Sequence, residues 1–263
     1  MENKGMKRKG QITIFVIIAL VIIGFAILIY VFYPKISEFV GIGVSSPQAY
    51  LENCIEDKFD DTLETVSMQG GGLAPENYIL YDGNKIEYLC YIDSYYETCV
   101  MQKPLVKNYV ETEIEKGIAN KVEECVSDLK NNYQKKGYSV SMSEGGFSVE
   151  LLPERVVLNI DKEITLKKGE EVQSFGGNKK LNVIFNNNIY ELTSIASSIL
   201  NSEATYGDAE TTIYMDLYHN LKVEKYKQSD GSTIYILTDS DKENKFQFAS
   251  RSVAWPPGYG INE

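Results

Sequence analysis

Histidine and tryptophan are almost missing: His219 and Trp255 are the only examples in 263 residues. One imidazole cannot build a multi-histidine metal site. His219, in "DLYHNLK" at an expected strand start, has no partner that the sequence identifies for general-base work, so it reads as a surface or packing residue. The four cysteines contain no CxxC and no Cys/His cluster, which removes a structural zinc. There is no GxSxG elbow, P-loop, HExxH or dinucleotide fingerprint. Acidic pairs (Asp60 with Asp61, Glu123 with Glu124, Glu170 with Glu171) are too common here for any one to stand out as a catalytic pair. "DSDKEN", Asp239–Asn244, lacks the central glycine and distal glutamate of a calcium loop and reads as a hairpin turn. No catalytic residue, metal or cofactor is therefore assigned, and the expectation is a protein that is not an enzyme. There is no N-x-S/T sequon, no second long apolar run and no basic stripe, and the last of these excludes a nucleic-acid partner.

What is present is polarised. Residues 1–10 carry Lys4, Lys7, Arg8 and Lys9 against Glu2, a net +3, which leaves −14 on the rest of a chain whose total is −11. From Ile12 to Tyr33 only Thr13 is conventionally polar. A helix of that length, at about 1.5 Å per residue, matches a hydrocarbon core of about 30 Å. It is too long for an ordinary signal-peptide core, and no small-residue cleavage site follows it. Tyr30, Phe32 and Tyr33 would form the aromatic belt, and Pro34 stops the helix. Four basic residues precede the run and only Lys35 lies within the twenty after it. The expectation is a single-pass membrane segment with a cytoplasmic N-terminus and an extracellular body.

Cys54, Cys90, Cys99 and Cys125 all lie on the expected exported side, where disulfides persist. After the Ser46–Pro47 start, Leu51, Ile55, Phe59 and Leu63 recur every four residues as far as Gly70–Gly72. A second stripe begins after Pro104 and runs from Val106 through Val110, Ile114, Ile118, Val122, Val126 and Leu129 to Tyr133, before Gly137. Cys54 and Cys125 lie on or beside these stripes, so packed helices would bring them together. Residues 77–101 read as short strands around "YDGN", with Cys90 and Cys99 able to staple a hairpin. Of three pairings, Cys54–Cys125 with Cys90–Cys99 is favoured. Beyond Gly137 the period becomes two, in "YSVSM", "FSVELL", "RVVLNI", "EITLKK" and "KLNVIF". Helical spacing returns through Leu192, Ile195, Ile199 and Leu200, and then "LKVEKYKQ", "TIYILTD" and "KFQFASRS" follow, separated by turns. The fold class is α+β: an N-terminal transmembrane helix, then an exported domain with two amphipathic helices and an antiparallel sheet. The divisions are a 1–10 leader, an 11–34 apolar helix, a 35–137 helical pair with stapled hairpin, and a β-rich 138–263 region that can belong to the same domain.

Tyrosine is abundant, with Tyr78, Tyr81, Tyr88, Tyr91, Tyr95 and Tyr96 inside one window. Tyr88, Tyr91, Tyr95, Tyr96 and Trp255 form a candidate binding surface, with strand packing the stronger reading for the tyrosines. The tail "SRSVAWPPGYG" reads either as a docking segment or as a clamp over the chain's own sheet edge.

The start, "KRKGQITIF", carries a resemblance. A short basic leader ending in Lys9-Gly10-Gln11, followed at once by an apolar helix, resembles the archaeal class III signal peptide of type IV pilin-like proteins. The resemblance covers about one eighth of the chain and implies cleavage between Gly10 and Gln11 by a prepilin-type membrane peptidase. It implies an archaeal surface protein serving assembly, adhesion or cell contact, with itself or other pilin-like subunits as partners. The body is similar to uncharacterised archaeal envelope proteins. Bacterial pilins carry a glutamate at the fifth mature position, where this chain has Phe15, and the archaeal class generally dispenses with it. The alternatives are a ligand-binding ectodomain on an uncleaved signal anchor and, third, an exported hydrolase.

Overall fold

The computed structural model describes residues 46–177 and 181–254, together with Ile18 and Val21–Ile23. The chain divides into a unit spanning 1–46 and a unit spanning 47–263. In the first, Ile18 and Val21–Ile23 are helical and exposed.

The expectation of a membrane-spanning helix over 11–34 is corrected here. Among the described residues no helix is long and apolar enough to cross a membrane. The described helical residues of that segment, Ile18 and Val21–Ile23, amount to about one turn, against about 20 residues needed to span. The long helices of the second unit fail for another reason: each exposes a charged or polar face. The leader residues Gly10 and Gln11 lie outside the described residues.

Two helices form the first layer of the second unit. α1, Pro47–Met68, buries Leu51, Ile55, Phe59, Leu63 and Val66 and turns Glu52, Glu56, Asp60 and Glu64 to solvent. α2, Val106–Lys135, buries Val110, Ile114, Ile118, Val122 and Leu129. Spacings of three and four put each apolar set on one stripe, and the stripes pack against each other. Cys54 and Cys125 bridge them, with Cα atoms 5.9 Å apart. Closing a loop of 71 residues restricts the unfolded chain enough to contribute about 4 kcal/mol.

The larger sheet runs in the order β1-β2-β12-β11-β10, with β3 pairing β2 on the side away from β12. β1 (Tyr78–Tyr81) and β2 (Asn84–Tyr91) form a hairpin whose turn, Asp82-Gly83, has φ of 47° and 81°. Both residues are left-handed, as a two-residue hairpin turn requires. β3 (Val100–Met101) returns to β2, and Cys90–Cys99 closes the intervening loop. β10 (Leu221–Lys227), β11 (Ser232–Asp239) and β12 (Lys245–Arg251) are joined by tight turns. β12 then pairs with β2 in parallel, so the expected antiparallel meander gains one parallel joint between distant parts of the chain. One face of this sheet, through Tyr235, Leu237, Phe246 and Phe248, is buried, and helix α3 (Ile189–Tyr206) packs on the same sheet. α4, Thr212–Leu217, is a short helix with no buried side chain.

Two three-stranded sheets complete the fold: β4-β7-β8 and β5-β6-β9. The strands are β4 (Ser139–Met142), β5 (Phe147–Leu152), β6 (Arg155–Ile160), β7 (Ile164–Lys168), β8 (Glu171–Phe175) and β9 (Leu181–Asn186). β4 leads into β5, β6 into β7 and β8 into β9, so the same three chain passes run through both sheets. The break between them is tightly built. A Cβ on Gly145 would lie 1.8 Å from the Asp161 carbonyl oxygen, and one on Gly176 would lie 2.0 Å from that of Lys162. Only glycine lets the passes cross so closely.

The β5-β6-β9 sheet has two unlike faces. Val149, Leu158 and Val183 stand in one cross-strand row, and Leu151, Val156 and Phe185 in the next, both buried. Phe185 stacks on Phe59 of α1 at 4.0 Å between ring centroids. The opposite face carries the alternate residues, Ser148, Asn159 and Asn182 among them.

Candidate functional site

A cleft of about 400 Å³ opens where the two small sheets meet. Its first wall is a polar row: Ser148 stands opposite Asn159, and Asn159 opposite Asn182. The row forms because each residue sits between apolar neighbours that face the helices, so the period-two alternation sends it outward. Its second wall comes from the break. Ser143, Asp161 and Glu163 line it, with Gly177 at the rim and Ile160 below. The break is held by backbone bonds. The Ser143 N–H donates to the Glu163 carbonyl at 2.9 Å, and the Asp161 N–H to the Gly146 carbonyl at 3.0 Å. The Ser143 hydroxyl accepts from the Glu163 N–H at 2.8 Å.

The polar side chains along the cleft set its chemical capacity. Asn182 Oδ1 is buried and has no hydrogen-bond partner among the described residues. The Asn182 peptide carbonyl is by contrast occupied, accepting from Gln48 Nε2 at 3.1 Å. Asp161 and Glu163 bring two carboxylates, and among the described residues no cationic side chain lines the cleft. The site can therefore accept several hydrogen bonds and donate through the amide and hydroxyl groups. Among the described residues, no group of three or more histidine, cysteine or acidic side chains could hold a metal ion.

Other polar centres lie inside the fold. Glu203 of α3, 1% exposed, accepts a hydrogen bond from the Tyr235 hydroxyl. Burial pushes the Glu203 carboxyl above its ordinary value against the opposing effects of Tyr235 and Lys225. Burial, the Glu203 charge and their hydrogen bond push the Tyr235 phenol up. Glu87 accepts from the Tyr109 hydroxyl at 2.6 Å and pairs with Lys103 at 3.5 Å; burial pushes its carboxyl up as well. Asp239 accepts from Asn188 and Asn220 side chains and from the backbone N–H groups of Asp241 and Lys242. Its carboxylate thus organises the hairpin turn at "DSDKEN". His219 is exposed between α4 and β10.

The tyrosine set is dispersed. Tyr88 is buried, its hydroxyl 2.8 Å from the Ser232 hydroxyl. It belongs to an apolar cluster with Ile86, Ile234 and Ala249. Tyr91, half-buried, meets the Tyr88 ring edge-on and lies beneath the Arg251 guanidinium. Tyr95 and Tyr96 project from the loop closed by Cys90–Cys99, at 60% and 72% exposure. That loop is fastened to the end of β12, since Tyr96 N–H donates to the Val253 carbonyl at 2.7 Å. Trp255 lies outside the described residues. Both favoured disulfides, Cys54–Cys125 and Cys90–Cys99, are formed.

The cleft residues escaped the sequence reading. Ser148, Asn159 and Asn182 appeared as polar residues in alternating strands, "FSV", "LNI" and "LNV", which marks an outward face and nothing more. No family model, curated protein or solved structure matches the chain.

Proposed function

We propose that this chain is a non-enzymatic, pilin-like cell-surface protein whose body works outside the cell in surface assembly, adhesion or cell contact. The observation that supports the reading is the pair of disulfides that uses all four cysteines, Cys54–Cys125 and Cys90–Cys99. Bridges of this kind persist in oxidising surroundings and are rare in reducing ones. The Lys9-Gly10-Gln11 leader gives the reading its processing step: a prepilin-type peptidase cuts after Gly10 and the mature chain begins at Gln11. Its partners are that peptidase and other pilin-like subunits or further copies of itself.

N-terminal mass spectrometry of the protein from its native envelope tests this. The expected mature terminus is Gln11, and Gly10→Val abolishes the cut because a branched side chain blocks close approach to the bond. An intact leader overturns the pilin-like assignment. A second reading, a ligand-binding ectodomain with its leader uncut, is favoured by the cleft.

A further inference from the structure

The geometry points to the cleft between the two small sheets as a binding site for a neutral saccharide. The inference rests on the reading of the body as a surface-binding domain and supplies its ligand class. Its volume of about 400 Å³ falls within the range of small-ligand sites, about 300–1,000 Å³. Its walls then select the chemistry. Among the described residues Ile160 is the one aliphatic side chain lining it, too little to hold an apolar molecule. Asp161 and Glu163 repel an anion, and the charge of the whole chain, −11, adds to that repulsion.

What remains is a ligand that presents many hydroxyl groups. A sugar hydroxyl donates one hydrogen bond and accepts others, so it needs mixed partners at close spacing. Carboxylates take the donated bond, while primary amides serve both directions. Ser148, Asn159 and Asn182 stand directly opposite one another on adjacent strands, which sets them at spacings of about 5 Å. That spacing suits alternate hydroxyls around a pyranose ring. The glycine-built break makes the second wall stiff, because Gly145 and Gly176 lie against backbone carbonyls. A pre-formed wall lowers the ordering cost of binding.

The test uses the full chain and a panel of glucose, galactose, mannose and N-acetylglucosamine with their disaccharides. Saturation-transfer NMR reports binding, and titration gives the dissociation constant. At least one sugar is expected to bind. Asn159→Ala and Ser148→Ala each weaken it by about tenfold, the effect of losing one satisfied hydrogen bond. Tyr226→Ala, on the larger sheet, leaves it unchanged. Near-UV circular dichroism checks the fold of each variant. Ser148 is solvent-exposed on a strand face, so its variant keeps the test open if Asn159→Ala does not fold. Silence across the panel overturns the proposal, as does binding that survives both substitutions. Methylamine is the competing probe: binding lost in Asp161→Asn while the sugars stay silent assigns the cleft to a cation and also overturns it. Leader cutting is read separately by mass spectrometry, so either reading can fail without the other.

Discussion

Glu203 shows how far one residue can be read. It falls four positions after Ile199 and seven after Ala196, inside the apolar stripe of α3, and it is buried there. That placement was legible in the helical period. Its partner was not, because Tyr235 lies 32 residues away on β11 and no local pattern links them. Burial raises the Glu203 carboxyl, with Tyr235 and Lys225 opposing. A carboxyl raised in the fold binds its proton more tightly there than in the unfolded chain. Its contribution therefore favours folding at low pH and is lost as pH climbs past the ordinary value of 4.5 and through the raised one. Glu203→Gln removes this loss and keeps a group that can bond to the Tyr235 hydroxyl. Urea denaturation between about pH 5 and about pH 8 should show wild-type stability falling with pH and the variant falling less. Glu87, also raised by burial, and Asp60, raised by burial and by the charges of Asp57 and Asp61, supply the slope that remains. Asp208 does not confuse the window. Burial acts upward on it, but hydrogen bonds and charge from Lys225 and Lys227 outweigh that and hold it low, so its effect appears only in acid. An unchanged slope in Glu203→Gln would show that the carboxyl is already ionised in the fold.

At the scale of elements, the sequence announced those that bury one face and hid those that do not. α1, α2 and α3 follow their apolar stripes, and "YDGN" turns as its residues demand. β8 exposes Glu171, Val172, Gln173 and Ser174, so no alternation marks it, and α4 buries nothing. The cleft is hidden for a related reason. Period two says that Ser148, Asn159 and Asn182 face outward, while only the pairing register puts them in one row. The edge of β5 is a further element-level device. Val149 N–H donates to Glu115 and Leu151 N–H to Glu111, each at 2.8 Å. Glutamates one helical turn apart on α2 thus take the place of a neighbouring strand and close an edge that would otherwise invite pairing with another chain. Glu111→Ala or Glu115→Ala leaves a half-buried N–H unpaired and should cost about 1–3 kcal/mol in chemical denaturation. Glu111→Gln, whose amide oxygen still accepts, recovers most of it. Glu123→Ala, exposed on the same helix, stays within about 0.5 kcal/mol of wild type. Equal effects at Glu111 and Glu123 would remove the edge-closing role.

At the scale of the molecule, helical stripes followed by period-two runs indicated α+β, and the change of period near Gly137 suggested a boundary. The pairing of β12 with β2 argues about that boundary in a way no local pattern could, since the strands that join come from either side of it. β2 holds Ile86, Leu89 and Cys90 buried, and part of that burial comes from β12. Phe59 of α1 needs Phe185 of β9 across its ring, and α2 lies against β5. The first 137 residues thus lack the strands that cover their own apolar stripes, even though both disulfides fall entirely within them. A fragment of residues 47–137 should consequently keep its two bridges and helical content but show no dispersed amide spectrum and no near-UV signal, because cross-links restrict a chain without supplying missing core. Residues 47–254 should unfold in one transition with coincident near- and far-UV changes. A well-dispersed spectrum from 47–137 would make the helical pair a domain of its own and reduce β12 to an addition at its edge. A featureless one leaves the second unit as a single cooperative body in which the last strand completes the first.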